Sequence, residues 1–368
     1  MVNKVGQFNK QKILVTGGSG FIGSVTVAKL IEAGHEVVVA DNGYNSVPSL
    51  VMQRIAEITG TKPEFVLADF RFLPEVQRLF SGRKFDAVIH FAALKAVGES
   101  NETHSRALDY FDNNLGALLN LLRVMDENSV RNLVFSSSAT VYGSNPYPYV
   151  ETMPIIAKSG NAYGYTKIMG EMILQQLTNV DQALKDSGKL DPAKAWHIVA
   201  LRYFNPIGAY KTLGDNPQGI PNNVFPFILQ TAAGIRKELT IFGNDFNKDD
   251  SVCNDGTCKR DYIDVQDLAA FHIAGLSFAS ENRGFEFFNG GSGKGTSVLE
   301  LVNTFQEATG QKVPWVKGPR RPGDLPAFWA DASKAKRLLD WETTQSITDM
   351  CRDGWEFAKG VLVPKGRG

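Results

Sequence analysis

Apolar positions along the first half of the chain alternate between two kinds of run. Continuous apolar stretches lie at Lys12–Thr16, at His35–Ala40 with Asp41 after it, at Glu64–Asp69, at Ala87–Ala93, from Asn132, and at His197–Asn205. Their unbroken hydrophobicity suits strands covered on both faces. Between them come helical spacings: one from the glycines after Thr16 to about Ala33, one over about Asp109–Asn128, and one around Tyr163. The Asp109–Asn128 helix carries Leu115, Leu118, Leu119, Leu122 and Met125, which are read as core. Strands alternating with helices predict an α/β fold built on a doubly wound parallel sheet, with ligands at the carboxyl ends of its strands. After Pro206 the texture turns to Gly, Pro, Asn and short elements. The expected organisation is a first domain over 1–205 and a smaller mixed α/β domain over 206–368, with some later segments returning to the first. A length of 368 residues accommodates both.

Charge and composition narrow the function. Lys+Arg and Asp+Glu are both 39, so no net field favours nucleic acid or a lipid surface as partner. The polar Met1–Lys12 segment lacks the apolar core of a leader, and no run reaches the ~18 apolar residues of a membrane span, so a cytoplasmic location is expected. Cys253, Cys258 and Cys351 are too few for a disulfide framework and are expected as thiols. The histidines, His35, His90, His104, His197 and His272, form no ligand pair, and no metal is expected. Asp181–Lys194 reads as helix plus loop, and the Asn- and Asp-rich Gly243–Lys259 stretch as a solvated surface loop.

The candidate chemistry sits at the predicted strand ends. Gly18, Gly20 and Gly23 form G-x-G-x-x-G, and Gly17, Gly20 and Gly23 form G-x-x-G-x-x-G, between a strand and a helix as a dinucleotide pyrophosphate requires. Asp41 closes the next strand, where a carboxylate accepts from adenosine ribose hydroxyls and repels a 2′-phosphate, which favours NAD over NADP. Asp69 ends a further strand, and Ala92-Ala93 is small enough for close cofactor approach. Tyr163 and Lys167 stand four residues apart, hence on one helix face. The ammonium is expected to favour the phenolate and make Tyr163 a general base. Ser138, at the end of a strand, is placed to hydrogen-bond the same reacting oxygen. Arg260, Arg320 and Arg321, with Asp261 or Asp324 close by, are either surface salt bridges or contacts to a diphosphate.

Several longer strings resemble the extended short-chain dehydrogenase/reductases. They are Thr16-Gly-Gly-Ser-Gly-Phe-Ile-Gly23, Phe91-Ala-Ala-Leu-Lys-Ala-Val-Gly-Glu-Ser100, Phe135-Ser-Ser-Ser-Ala-Thr-Val-Tyr-Gly143, Tyr163-Gly-Tyr-Thr-Lys167 and Arg202-Tyr-Phe-Asn-Pro206. With Pro221-Asn-Asn223, Lys259-Arg-Asp-Tyr-Ile263 and Arg320-Arg-Pro-Gly-Asp-Leu-Pro326, the resemblance covers about Lys12 to Trp355 and points to the members acting on UDP-hexoses. It implies a Rossmann-type domain, tightly held NAD, and interconversion of UDP-glucose and UDP-galactose through a 4-keto sugar. Tyr163, Lys167 and Ser138 would be catalytic. The NAD set it implies is Gly17, Gly20, Phe21, Ile22, Gly23, Asp41, Asn42, Asn45, Ser46, Asp69, Phe70, Phe91, Ala92, Ala93, Lys95, Asn113, Ser136, Tyr163, Lys167 and Tyr203. The UDP-sugar set is Lys95, Ser138, Tyr163, Phe204, Asn205, Asn223, Val224, Thr240, Ile241, Phe242, Arg260, Arg321, Asp324 and Phe328. A homodimer through the Asp109–Asn128 and Tyr163 helices is implied by the same analogy.

The chain departs from the family pattern at Asp264, where a His is expected, and at Ala93, where Gly is common. Phe328 either faces the 2-substituent of the sugar or packs in the core with Trp329. A related 4,6-dehydratase would need an acid and a base after the strand hydroxyls, but Ala139 and Thr140 follow Ser138. A non-catalytic dinucleotide sensor would not need Tyr163, Lys167 and Ser138 together.

Overall fold

The computed structural model describes residues 10–155, 160–321 and 323–363. Residues 1–9 of the polar N-terminal stretch and Pro322 of the Arg320–Pro326 string lie outside them. Six strands of the first half, β1 (Lys12–Thr16), β2 (Glu36–Asp41), β3 (Glu64–Leu67), β4 (Ala87–His90), β5 (Asn132–Ser136) and β6 (His197–Tyr203), are joined by Gly284–Gly290 in one seven-stranded sheet. Across the sheet the order is Gly284–Gly290, β6, β5, β4, β1, β2, β3, and every pairing is parallel. The direction of winding reverses between β1 and β4, which opens a crevice at their carboxyl ends.

Period-two placement sends alternate apolar side chains to opposite faces. Ile13, Val15, Val39, Ile89 and Val134 pack on one side, while Leu14, Val38, Val88 and Leu133 pack on the other. Among the described residues, eleven α-helices cover these faces and the second layer: α1 (Phe21–Glu32), α2 (Pro48–Thr59), α3 (Leu73–Phe80), α4 (His104–Phe111), α5 (Ala117–Glu127), α6 (Ala162–Asp186), α7 (Val224–Ala232), α8 (Val265–Glu281), α9 (Val298–Thr309), α10 (Ser333–Leu339) and α11 (Ile347–Val361). Helix α8 and the Gly284–Gly290 strand come from beyond Pro206 yet belong to the sheet layer. A separate core of Phe225, Ile228, Leu229, Leu301, Phe305, Met350 and Trp355 holds α7, α9 and α11 together.

Two expectations need correcting. The helix read over Asp109–Asn128 begins at His104 and carries a π-helical turn over Asp112–Gly116. That turn inserts an extra residue per turn and rotates the face. Leu118, Leu121, Leu122 and Met125, on one face of the regular helix that follows, are buried, while Leu115 within the π turn is only half-buried and Leu119 is exposed. The stretch Gly243–Lys259 is no solvated loop. Phe246, Cys253 and Cys258 are buried with Ala327, and all three cysteines are free thiols. Arg320 ties this stretch down by bonds to Asp245 and Asp249 and lies 4.3 Å over the Phe246 ring. No helix among the described residues is long and apolar enough to cross a membrane.

Candidate active site

The glycine loop is shaped by what it must avoid. Gly17 takes φ 68°, and a Cβ there would stand 2.7 Å from the Ala92 nitrogen beyond β4. A Cβ on Gly23 would stand 2.3 Å from the Gly17 carbonyl. Glycine at both positions lets the loop, β4 and α1 close up, and leaves a cradle that a side chain would fill. Gly20 caps α1 without a side-chain bond, so the N–H groups of the first turn, at Phe21, Ile22 and Gly23, have no intrahelical acceptor and suit a phosphate. The Phe21 ring itself is buried and Ile22 packs on the core, so these two act through backbone.

The carboxylate at the end of β2 borders this loop. Asp41 accepts from the Ser19 amide at 3.1 Å and the Gly43 amide at 2.9 Å, and the Ser19 and Ser46 hydroxyls bond at 2.6 Å. Asn42 accepts from the Tyr44 amide, and the Asn45 side-chain carbonyl accepts from the Gln218 amide at 2.9 Å, joining this corner to the second half of the chain. Asp69 is held by a fork from Arg71, whose hydrogen bonds keep the carboxyl below its usual range. Phe70 is buried beside His90, so its ring is not at a surface and its carbonyl accepts from Asn120.

After β4, Phe91 rests on His272 with ring centres 4.5 Å apart, Ala92 donates to the Thr16 hydroxyl at 3.3 Å, Ala93 is half-buried, and Lys95 is exposed. Asn113 donates to Asn114 at 3.0 Å. Asn114 is a positioning residue that the sequence reading passed over. Its side chain accepts from the Leu94 amide and donates to the Leu94 carbonyl and the Thr166 hydroxyl, fixing the β4 exit against α6. The available signal was two adjacent asparagines, poor helix formers, inside an apolar helix.

Helix α6 is started by Asn161, which accepts from the Gly164 amide at 2.7 Å, and by Asn101, which accepts from the Ala162 amide. This places Tyr163 and Lys167, both buried, beneath the end of β5. Ser138 is the polar neighbour of the Tyr163 phenol, and its own oxygen caps the following turn by accepting from the Thr140 amide. The Lys167 ammonium donates to the Ser136 carbonyl at 2.6 Å and lies 5.8 Å from the centre of the Tyr163 ring. The Ser136 and Tyr203 hydroxyls bond at 2.5 Å.

Here the electrostatics correct the sequence reading. Burial pushes the Tyr163 phenol up, the Ser138 hydrogen bond only partly opposing it, and burial pulls Lys167 down to about 8. Each group is short of water for its charged form, so desolvation outweighs their mutual help in the protein alone.

On the opposite wall, Arg260 is buried and Arg321 exposed, and both reach Asp324. Arg260 also donates to the Leu325 carbonyl at 2.9 Å and sits 4.5 Å over the Phe328 ring. Phe328 stacks on Tyr149 at 6.0 Å and packs on Phe204, whereas Trp329 turns away onto Tyr147. Phe328 therefore does not share a core with Trp329. Arg320 does not face this wall, being committed to Asp245 and Asp249. Nor does Asp261 pair with an arginine. It is buried and accepts from the backbone of Ser292, Gly293 and Ala330, tying the Arg260 strand to the Phe328 strand.

Asn205 pairs with Tyr262 on short parallel strands, and Asn223 caps α7 just before Val224 without using its side chain. Thr240 and Phe242 point outward, while Ile241 turns into the second core, which removes its side chain from any surface.

A doubly wound sheet with a glycine cradle at its winding reversal and a buried Tyr–Lys–Ser group beside it defines a dinucleotide-dependent enzyme. The chain belongs to the NAD dependent epimerase/dehydratase family, whose profile matches residues 13–291. It is 45% identical over 360 residues to a bifunctional UDP-glucose 4-epimerase and UDP-xylose 4-epimerase of Pisum sativum, covering 95% of this chain and 96% of that one. It is 45% identical over 348 residues to UDP-glucose 4-epimerase of Yersinia pestis, covering 94% and 96%. Among solved structures, UDP-glucose-4-epimerase from Stenotrophomonas maltophila with bound NAD and formylated UDP-arabinopyranose matches with TM-score 0.86 and 43% identity over 96% of this chain and 99% of that one. The enzyme from Bifidobacterium longum in complex with NAD+ and UDP matches with TM-score 0.83 and 39% identity, covering 95% and 99%.

Proposed function

We propose that the chain is a UDP-hexose 4-epimerase that interconverts UDP-galactose and UDP-glucose with tightly held NAD. The observation that carries this is the convergence of Tyr163, Ser138 and Lys167 at the strand ends beside the glycine cradle. The names of its relatives support the substrate class. In this reading residues 1–205, with α8 and the Gly284–Gly290 strand, hold NAD, and the rest of 206–368 holds the UDP-sugar.

The residues fit NAD. The cradle at Gly17 and Gly23 and the α1 amides take the pyrophosphate, Asp41 the adenosine ribose, and Lys167 the nicotinamide ribose. When bound, NAD supplies the hydride acceptor, and later the donor, at sugar C4. Tyr163 takes the proton from the 4-hydroxyl, with Ser138 sharing the same oxygen, and returns it after the sugar has turned over. Arg260, Arg321 and Asp324 hold the UDP, so the sugar itself is held loosely enough to present both faces. The enzyme works as a homodimer in the cytoplasm.

The test is incubation of purified protein with UDP-galactose and no added cofactor. UDP-glucose is the expected product. A stable 4-keto-6-deoxy sugar, or no turnover, would overturn the reading. Tyr163→Phe should lower kcat by ~10²–10⁴-fold or more with UDP binding retained, since that is the usual worth of a general acid–base. A Phe variant with most of its activity would remove Tyr163 from the mechanism.

A further inference from the structure

Helix α6 places a carboxylate one turn below the functional lysine. Lys167 and Glu171 are four residues apart, on one face, and both are buried. Side chains at that spacing meet, and a buried charge without a partner is costly, so the default for this pair is to join each other. They do not. Glu171 Oε1 accepts from Arg202 Nε at 2.9 Å and from the Ser137 hydroxyl at 2.5 Å, and Oε2 accepts from Arg202 Nη2 at 2.5 Å. Arg202 is 1% exposed, and its remaining Nη1 donates to the Tyr142 hydroxyl at 3.0 Å, which in turn donates to Asn289. The guanidinium is thus fixed on three sides. The last residue of β5 and the residue after it divide the two charges, because the Ser136 carbonyl accepts from Lys167 and the Ser137 hydroxyl donates to Glu171.

We propose that Arg202 is a positioning residue for the reaction: by occupying both oxygens of Glu171 it keeps that carboxylate off Lys167, so the ammonium points up to Ser136 and Tyr163 instead of down its own helix. The inference rests on Tyr163 and Lys167 acting as proposed above. The groups around Lys167 are Tyr163 and Glu171 on α6, His90 on β4, Tyr142 after β5, and Arg202 and Tyr203 on β6. His90 is held neutral by burial, which depresses it to about 3. Glu171 is the carboxylate whose charge acts on Lys167. With Arg202 gone, the fork is lost and Lys167 is the nearest buried cation. Its ammonium then swings toward Glu171, and the Tyr163 phenolate loses its stabilisation.

The experiment compares the pH dependence of kcat/KM for UDP-galactose in the wild type, Arg202→Met, and the double variant Arg202→Met/Glu171→Gln, each checked for folding by circular dichroism. In Arg202→Met the acidic limb should move up by about one pH unit or more, the usual effect of moving a neighbouring charge. In the double variant, which has no carboxylate to attract Lys167, the limb should return to the wild-type position. If Arg202→Met does not fold, Arg202→Lys carries the test: it keeps a cation but not the fork, and a smaller shift in the same direction is expected. A folded Arg202 variant with an unmoved limb, or a double variant as shifted as the single, would overturn the proposal. Failure of the underlying reading shows separately, as a Tyr163→Phe variant that stays active.

Discussion

Asp264 is a carboxyl group that no water reaches. It caps α8 by accepting from the Gln266 amide at 2.7 Å, while its other oxygen has no partner among the described residues and faces Gly208. Burial, with Asp267 and Asp353 nearby, pushes it up to about 7 from 3.8. The sign follows from linkage: the folded protein keeps this proton where the unfolded chain has released it. Its contribution to stability is therefore full below about pH 4 and is lost as pH rises through 7, a swing of a few kcal/mol. Asparagine can cap a helix without a charge. Asp264→Asn should accordingly melt above the wild type at pH 8 and not at pH 4, and an equal difference at both pH values would refute the assignment. Phe328 makes a second prediction at this scale. Its ring is clamped between Tyr149 and Arg260, and under the proposed function it would occupy room that an N-acetyl group needs. Overfilling a packed site costs about 1–3 kcal/mol, or about tenfold to a few hundredfold in selectivity. UDP-N-acetylglucosamine should be a poor substrate, and Phe328→Cys should raise kcat/KM for it. Equal wild-type activity on both sugars would remove the blocking role.

At the scale of elements, Gly243–Lys259 acts as a strap. It leaves the Leu239–Phe242 strand, buries Phe246, Cys253 and Cys258, and returns as the Lys259–Arg260 strand. Along the way Arg320 holds Asp245 at 2.6 Å, Tyr147 holds Asp250, and the Cys253 thiol donates to the Pro326 carbonyl. Arg260 is thus carried by a segment fastened at several points. Arg320→Ala should raise KM for UDP-sugars several-fold, leave kcat close to the wild type, and open the strap to limited proteolysis. An unchanged KM with rapid cleavage would separate the strap from the substrate wall. The strap was illegible in the sequence because its polarity is real but its anchors are distant. Arg320 lies 75 residues from Asp245, and no local pattern announces that pairing. The π turn was hidden for a different reason. A helical repeat read by eye assumes 3.6 residues per turn throughout, and Asp112–Gly116 breaks that assumption just where Asn114 must turn inward. By contrast β1, the glycine loop and the Tyr163–Lys167 helix were legible because each depends on near neighbours: a continuous apolar run, a backbone that must pass Ala92, and a one-turn spacing.

The whole molecule presents one more surface to explain. Leu108 on α4, Leu119 on α5, and Met169 and Met172 on α6 are exposed by 67%, 37%, 41% and 61%. These helices adjoin, since α4 packs on α6 through Tyr110 and Tyr163. Scattered apolar residues are ordinary on a surface, but large ones gathered on neighbouring helices mark an interface. Two copies meeting by a two-fold axis would bury the same face on each, which is the commonest closed assembly. The same helix α6 carries Tyr163 and Lys167 at its buried start, so the interface would brace the catalytic pair from behind. Sedimentation or light scattering should therefore give about twice the 40.4 kDa chain mass. A charge in the middle of the face cannot be desolvated against its own symmetry mate. Met172→Glu should yield a monomer that still binds UDP, with lowered kcat. A wild-type monomer, or a Met172→Glu variant that remains dimeric, would place the interface elsewhere.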